Sequence, residues 1–143
     1  MKYLFDSSAI FKAAKENKIE ILVWNFTLEL ARYELGNILW KNFVLQAKAT
    51  EQEIKNLAKI VKQTLNMMEV IQINCSEPEI LQTAAKLKIT FYDASYVYHA
   101  KTKGLTLITE DSQLLGKITP FVKALKLEDI TQTENAFTLF KHH

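Results

Sequence analysis

Cysteine, glycine and proline are all scarce in this chain of 143 residues. The one cysteine, Cys75, excludes an internal disulfide and a zinc site built from several cysteines. With three glycines and two prolines, the composition predicts a mostly helical chain with short connections between its elements.

The sequence also lacks long apolar runs. The longest uncharged stretch, 21–28, has eight residues, whereas a helix needs about 20 to cross a bilayer. Charged residues stand at Lys2 and Asp6, which leaves no room there for the apolar segment of a signal peptide. We therefore expect a soluble cytoplasmic protein that does not associate with membranes.

A strong charge of either sign is missing as well. Eighteen basic residues against sixteen acidic ones leave a net charge of +2. This balance is too mild to identify a nucleic-acid binder, and it argues against an acidic tail or a polybasic membrane anchor. Arg32 is the only arginine among the basic residues.

The overall composition is that of a globular protein, with 48% apolar and 24% charged residues. Disorder is therefore excluded as the main state of the chain. The length fits one compact domain, which we assign to residues 1–143. His142 and His143 resemble the remnant of an added tag, and we assign them no role.

The spacing of apolar residues predicts an alternation of strands and helices. Strands are predicted over 3–5, 21–24, 70–73, 105–109 and 121–127. Helices are predicted over 9–14, 27–46, 50–68, 76–87, 94–103 and 133–140, with a short helix through 114–115. Such alternation is typical of a parallel sheet covered on both faces. The sequence therefore predicts a three-layer α/β/α domain with a central parallel sheet.

Four acidic residues occupy informative places in this scheme. Asp6 ends the first predicted strand, and Asp111 lies just beyond the strand over 105–109. Ligands bind at the carboxyl ends of strands in open parallel sheets, so both acids point to the same edge. Asp93 stands in the first turn of a helix whose preceding loop can reach that edge. Glu34 borders the buried stripe of its helix, where a charge requires a partner or a cation.

Each of these acids alone has an ordinary structural explanation. Asp6 and Asp111 can cap the helices that come after them, and Asp93 can favour its helix dipole. Glu34 can reach solvent or pair with Lys41. Taken together, carboxylates that converge without a basic residue among them repel one another. A hard divalent cation with oxygen ligands, Mg²⁺ or Mn²⁺, removes that repulsion.

The segments that contain these acids resemble the four motifs of PIN domains. In chain order they are Phe5-Asp6-Ser7-Ser8-Ala9, Ala31-Arg32-Tyr33-Glu34-Leu35-Gly36-Asn37, Tyr92-Asp93-Ala94-Ser95-Tyr96 and Thr109-Glu110-Asp111-Ser112-Gln113-Leu114. No single motif is specific, but four in this order are. Their order and spacing span nearly the whole chain and are similar to the VapC-type toxins of toxin–antitoxin pairs.

This resemblance implies a ribonuclease that hydrolyses RNA phosphodiester bonds with one or two Mg²⁺ or Mn²⁺ ions. It also implies a homodimer that a small antitoxin protein holds inactive. Its catalytic residues and metal ligands would be the four acids Asp6, Glu34, Asp93 and Asp111, with Ser8 and Thr109 as supporting hydroxyls. With a single arginine in the chain, RNA contacts would rest mainly on lysines, which bind phosphate without bidentate geometry.

Two other classes of protein stand as alternatives. A phosphatase or phosphoacceptor domain also carries an aspartate after its first strand, but it needs a second acid where Ser7 and Ser8 stand here. A non-catalytic PIN-fold module that binds RNA or protein is the other alternative. An incomplete acid set would favour that module, whereas the set here is complete. Metal-dependent cleavage of RNA distinguishes the ribonuclease from the non-catalytic module.

Other residues near these motifs receive mainly structural interpretations. A lone histidine on a helix, His99, is predicted to serve packing rather than catalysis. Core packing is favoured for Tyr92 and Tyr96, although Tyr92 is also in place to stack on an RNA base. Two tryptophans, Trp24 and Trp40, are interpreted as core residues or as part of a dimer interface. Three lysines on one helix face are interpreted as a solvated face or as contacts to RNA phosphates: Lys55, Lys59 and Lys62.

Overall fold

Five parallel strands form one central sheet in the computed structural model, which describes residues 2–130. The strands are β1 (Tyr3–Phe5), β2 (Phe26–Leu28), β3 (Glu69–Ile71), β4 (Thr106–Ile108) and β5 (Ala124–Leu125). Their order in the sheet is β3-β2-β1-β4-β5, so β1 lies at the centre. In register, Leu4 pairs with Phe26 on one side and with Leu107 on the other.

Helices cover both faces of this sheet. They are α1 (Ser7–Lys15), α2 (Leu30–Trp40), α3 (Glu51–Asn66), α4 (Glu77–Leu87), α5 (Phe91–Lys103) and α6 (Ser112–Ile118). Side chains alternate between the two faces of a strand. Tyr3 and Phe5 accordingly pack with α1, α2 and α3, whereas Leu4 packs with α5 and α6. The predicted three-layer α/β/α architecture is confirmed.

The central strand is fully enclosed, and its burial fixes the position of the residue after it, Asp6. Leu4 and Phe5 are both completely buried. The backbone N–H of Asp6 donates to the carbonyl of Ile108 at 3.0 Å, which brings the ends of β1 and β4 together. The hydroxyl of Thr27 on β2 donates to the Phe5 carbonyl at 2.8 Å. The carboxyl ends of the three middle strands therefore share one edge.

The strand predicted over 21–24 is wrong. A 3-10 helix occupies Ile19–Leu22, and β2 begins only at Phe26. Asn25 accounts for this shift, since its Nδ2 donates to the Ile21 carbonyl at 2.8 Å and its Oδ1 accepts from the Tyr3 N–H at 3.0 Å. Trp24 before it has a φ of 67°, which a strand does not allow.

The helix predicted over 27–46 starts too early. Residues up to Leu28 belong to β2, and α2 begins at Leu30. At its other end α2 gives way to a π-helical turn at Lys41–Leu45. The strand residue Leu28 shares its apolar spacing with α2, so periodicity alone did not separate the two elements.

The helix predicted over 94–103 starts too late, because α5 begins at Phe91. The hydroxyl of Thr90 accepts the backbone N–H of Asp93 at 3.1 Å and caps this helix. Thr50 caps α3 in the same way, by accepting from Glu53 at 3.2 Å. The helix predicted over 133–140 lies outside the described residues.

Two exposed tryptophans contradict a core role. Trp24 is 80% exposed and Trp40 is 47% exposed, so only the dimer-interface hypothesis remains for them. The residues of the 2–130 range contain no helix that is both long and apolar enough to cross a membrane.

Two glycines give a matched test of the helix boundaries. Gly104 ends α5 with a φ of +65°, whereas Gly36 lies inside α2, and a Cβ at either position meets no atom within 4 Å. Gly104→Ala should lower the free energy of unfolding by about 1 kcal/mol because the left-handed conformation strains alanine. Gly36→Ala should raise it by about 0.5–1 kcal/mol because alanine is the better helix former. Urea denaturation measures both, and equal effects of the two variants would contradict the assignment.

Candidate active site

Asp6 is held at the carboxyl end of β1 by several hydrogen bonds. Its Oδ1 accepts from the backbone N–H of Ala9 at 3.0 Å, which caps α1, and from the hydroxyl of Ser8 at 2.6 Å. The residue is only 6% exposed. Burial raises the pKa of Asp6 to about 6, against the hydrogen bonds from Ser8, Thr109 and Ala9, and the charge of Glu34 adds to the rise.

Ser8 and Thr109 join the two halves of this edge. Their hydroxyl oxygens lie 3.4 Å apart. The Ser8 hydroxyl accepts from the backbone N–H of Glu110 at 3.0 Å, and the Thr109 hydroxyl accepts from that of Asp111 at 3.2 Å. The loop after β4 is thereby fastened to the first turn of α1, and Asp111 comes directly after that loop.

Asp111 and Asp93 face a common cavity. Asp111 caps α6 through its Oδ1, which accepts from the Leu114 N–H at 3.1 Å. Both acids line a cavity of about 160 Å³, together with Lys88 and Lys117. Burial raises the pKa of Asp93, and the charge of Asp111 raises it further. The loop before α5 therefore does bring Asp93 to the edge where Asp111 stands.

Glu34 reaches the site from α2 and is oriented by a tyrosine. The buried Tyr96 hydroxyl donates to Glu34 Oε1 at 2.7 Å. Ser7 supplies a further hydrogen bond to Glu34. Burial raises the pKa of Glu34 despite these bonds, and the charge of Asp93 contributes. Next to this carboxylate, the buried Tyr96 hydroxyl has a pKa far above its usual range.

Tyr96 is the contact that sequence reasoning missed. Core packing was predicted for it, and it is buried, but its hydroxyl also holds a carboxylate from another helix. The one signal for this role was its position three residues after Asp93, which places both on one side of α5. Lys88 and Lys117 were also missed, since nothing in their local sequence places them beside the acids.

The four acids are close enough that the charge of one raises the pKa of the next. The charge of Glu34 acts on Asp6, that of Asp93 acts on Glu34, and that of Asp111 acts on Asp93. The ion pairs formed within residues 2–130 involve other acids and leave these four without a cationic partner. The fold therefore gathers at one edge the carboxylates of Asp6 after β1, Asp111 after β4, Glu34 on α2 and Asp93 on α5.

Glu110, the remaining acid of the fourth motif, behaves differently. Its Oε2 pairs with the Lys12 ammonium at 3.2 Å, and its Oε1 accepts from the Leu127 N–H at 2.9 Å. Both oxygens are thus engaged in holding the chain after β5 against α1. Glu110 has a structural role and stands apart from the unneutralised set.

The donor set fits a hard divalent cation by its chemistry. Carboxylate and hydroxyl oxygens are the ligands that Mg²⁺ and Mn²⁺ prefer. Across residues 2–130, however, no three His, Cys, Asp or Glu side chains already stand close enough together to hold an ion. A cation held by three or more of these carboxylates at once would therefore require side-chain rotation that draws them together, a movement that their mutual repulsion opposes until an ion is present.

The other residues singled out in the sequence lie elsewhere. His99 is buried, and its Nδ1 donates to the Ser95 carbonyl at 2.8 Å, as its predicted packing role requires. Core packing is wrong for Tyr92, which is 60% exposed. The three lysines of α3 are exposed, and Lys55 pairs with Glu51 at 3.2 Å, in keeping with a solvated helix face.

The burial of Asp6 makes the metal-free protein sensitive to pH. Its carboxyl loses a proton near pH 4 in the unfolded chain but only at about 6 in the folded protein. Between these values the folded state binds more protons, so the free energy of unfolding should fall as pH rises from 4 to 6. The Asp6→Asn variant keeps the helix cap but loses the titrating group. Between pH 4 and pH 6 its free energy of unfolding should therefore fall by roughly 2 kcal/mol less than that of the parent. Denaturation in chelator at several pH values measures this, and parallel curves for both proteins would contradict it.

Comparison with known proteins identifies the family of this chain. The sequence matches the PIN domain family over residues 3–118. Exonuclease VapC9 of Pyrobaculum aerophilum is 31% identical over 123 residues, which cover 82% of this chain and 86% of that protein. Ribonuclease VapC3 of the same organism is 32% identical over 96 residues, covering 67% and 72%.

A solved structure extends the likeness to three dimensions. The crystal structure of PAE2754 from Pyrobaculum aerophilum superimposes with a TM-score of 0.79 at 31% sequence identity, covering 95% of this chain and 90% of that one. Sequence and fold lead to the same assignment: the chain belongs to the PIN-domain family.

Proposed function

We propose that this protein is a metal-dependent endoribonuclease and the toxin of a toxin–antitoxin pair. The observation that carries the proposal is the chain of four acids from separate elements at one sheet edge. Asp6 is buried, Glu34 and Asp93 are half-buried and Asp111 is exposed, and none of the four forms an ion pair within residues 2–130. A site that holds a cation explains why these carboxylates lie close together despite their repulsion. The nuclease names of the VapC relatives support the same activity.

The acids would hold Mg²⁺ or Mn²⁺, with Asp6, Glu34, Asp93 and Asp111 as ligands. When bound, such a cation supplies an activated water and neutralises charge at the scissile phosphate. Ser8 and Thr109 orient Asp6 from beside it. These hydroxyl groups hold the direction of the Asp6 carboxylate in the metal-free protein.

Lysines beside the acids supply the attraction for RNA. Lys88 and Lys117 line the same cavity as Asp93 and Asp111, which places two basic residues near two acidic ones without an ion pair between them. The Lys117 Nζ donates to the Lys88 carbonyl at 3.0 Å, so its position is fixed by the end of α4. The single arginine is engaged elsewhere, with Glu29 at 3.1 Å. Phosphate contacts at this site therefore depend on lysine, as point charges.

The partners follow from the same proposal. RNA is the substrate, a small antitoxin protein is the inhibitor, and a homodimer in the cytoplasm is the working form. Exposed Trp24 and Trp40 are candidates for a dimer interface. The names of the two relatives differ between exonuclease and ribonuclease, so the point of cleavage needs its own test.

A circular RNA tests the proposed activity, because it has no ends and only an endonuclease opens it. With Mn²⁺ present, the parent protein should linearise it, and chelator should stop the reaction. Asp6→Asn should lower the rate about 100-fold or more, because the site loses a charge where a cation is held. Gel analysis of the circular and linear forms measures both effects.

Glu110→Gln is the matched control for that variant. It removes one carboxylate charge from the same edge, but from an acid that is already paired with Lys12. It should keep most of the cleavage rate. Equal activity of the parent and Asp6→Asn would favour the non-catalytic RNA- or protein-binding module, and cleavage of linear RNA alone would favour an exonuclease.

Metal binding has a readout that does not depend on cleavage. Mn²⁺ should raise the melting temperature of the parent, since a ligand at 100 times its Kd stabilises the folded state by about 2.7 kcal/mol. Asp93→Asn should respond much less. Without metal, the same variant should be at least as stable as the parent, because Asp111 no longer repels a charge there. A thermal-shift series with chelator and with Mn²⁺ measures this, and equal Mn²⁺ responses would rule out a shared site.

A further inference from the structure

A second and larger cavity opens at the same edge of the sheet. It measures about 330 Å³, within the size range of small-molecule sites. It lies between the carboxyl ends of β2 and β3 and the first turns of α5. Its apolar walls are formed by Leu28, Leu30, Ile71, Ile73, Phe91 and Tyr92.

One buried polar group in this apolar cavity lacks a partner. His99 lines the cavity and is only 5% exposed. Its Nδ1 donates to the Ser95 carbonyl, which in the neutral ring leaves Nε2 as an acceptor. No residue of the 2–130 range bonds to Nε2, yet this atom is not sealed from solvent as the unsatisfied Thr64 hydroxyl is. Because His99 lines the cavity, a ligand bound there is in place to supply the missing partner.

The other polar side chains of the cavity already have partners or are exposed to solvent. The Ser95 hydroxyl donates to the Phe91 carbonyl at 2.8 Å. Glu29 at the rim is paired with Arg32 at 3.1 Å, so it does not oppose an approaching phosphate chain. Gln72 is exposed. The cavity thus presents apolar walls, an exposed tyrosine ring and one acceptor.

The cavity adjoins the acidic site through consecutive residues. Tyr92, which is 60% exposed, lines the cavity, and the next residue, Asp93, lines the acidic cavity with its two lysines. A strand of RNA whose phosphate lies beside Asp93 has a neighbouring base within reach of Tyr92. Exposed aromatic rings beside a phosphate site are the usual platforms for unpaired bases.

We infer that this cavity binds one unpaired base of the RNA substrate, stacked on Tyr92 with an N–H group donated to His99 Nε2. The inference rests on the proposed ribonuclease function and adds a base-binding site to it. A nucleobase matches both features, since it has a flat apolar face and N–H donors on its edge. An aliphatic side chain of a protein partner would fill the walls but leave Nε2 unpaired, at the usual cost of a buried polar group.

The test is an abasic scan of a short fluorescent single-stranded RNA that the protein cleaves. Each RNA in the series lacks one base, and binding is measured in chelator by fluorescence anisotropy so that no cleavage occurs. One abasic position should weaken binding to the parent about tenfold, because one stacked and hydrogen-bonded base is lost. In the presence of Mn²⁺, the same position should reduce cleavage.

Variants of the cavity should remove this discrimination. Tyr92→Ala and His99→Phe should bind the intact and abasic RNA equally, whereas His99→Gln, which returns an acceptor, should restore part of the difference. Phe43→Ala is the matched control, because it removes an exposed aromatic in the π-helical turn after α2, which lines neither this cavity nor the acidic one. It should keep the full tenfold difference. The ratio of two affinities is insensitive to partial unfolding of a variant, since only folded protein binds either RNA.

Four results would overturn the inference. Binding and cleavage of RNA without any sensitive abasic position would remove the base site and leave the nuclease intact. An unchanged abasic effect in Tyr92→Ala and His99→Phe would place the bound base elsewhere. Variants that discriminate normally but lose affinity for a protein partner would make the cavity a protein-docking site. Absence of both RNA binding and RNA cleavage would overturn the proposed function as well.

Discussion

Burial of a carboxylate at the end of the central strand is the constraint on which the site depends. β1 is enclosed by neighbours on both sides and by helices on both faces, so Asp6 at its end is only 6% exposed. Its raised pKa measures the cost of that position. The capping bond to Ala9 and the Ser8 hydroxyl offset part of the cost and fix the direction of the carboxylate. The charge of the neighbouring Glu34 adds repulsion to a carboxylate that burial already disfavours in its charged form.

The acids stay close together despite their repulsion because each is held in place by contacts within a different part of the fold. Asp6 and Asp111 are caps of α1 and α6, Asp93 stands in the first turn of α5, and Glu34 is held by Tyr96. Helix starts favour negative charge, which makes three of these positions tolerable without any cation. The same bonds that give each acid an ordinary structural role also direct the carboxylates to one edge. Structural and functional explanations of these residues are therefore compatible.

The sequence predicted best what depends on local signals. Strand β1, the end of α5 at Lys103 and the acids near strand ends are all determined by neighbouring residues. Neighbouring residues do not determine the start of β2, because Asn25 bonds to Tyr3, 22 residues away. The Tyr96–Glu34 bond joins residues 62 apart. Contacts of this range, like the cavity beside Tyr92, arise only when the layers pack.

The central claim is that the four acids act as one cation site, and carboxyl-resolved NMR titration tests it most directly. In chelator, Asp6 should titrate at about 6, with Glu34 and Asp93 above the usual range for their side chains. With Mg²⁺ present, the pKa values of all three should fall together, because the bound cation favours their charged forms. Titration curves that Mg²⁺ leaves unchanged, or that it changes for only one acid, would contradict a shared site.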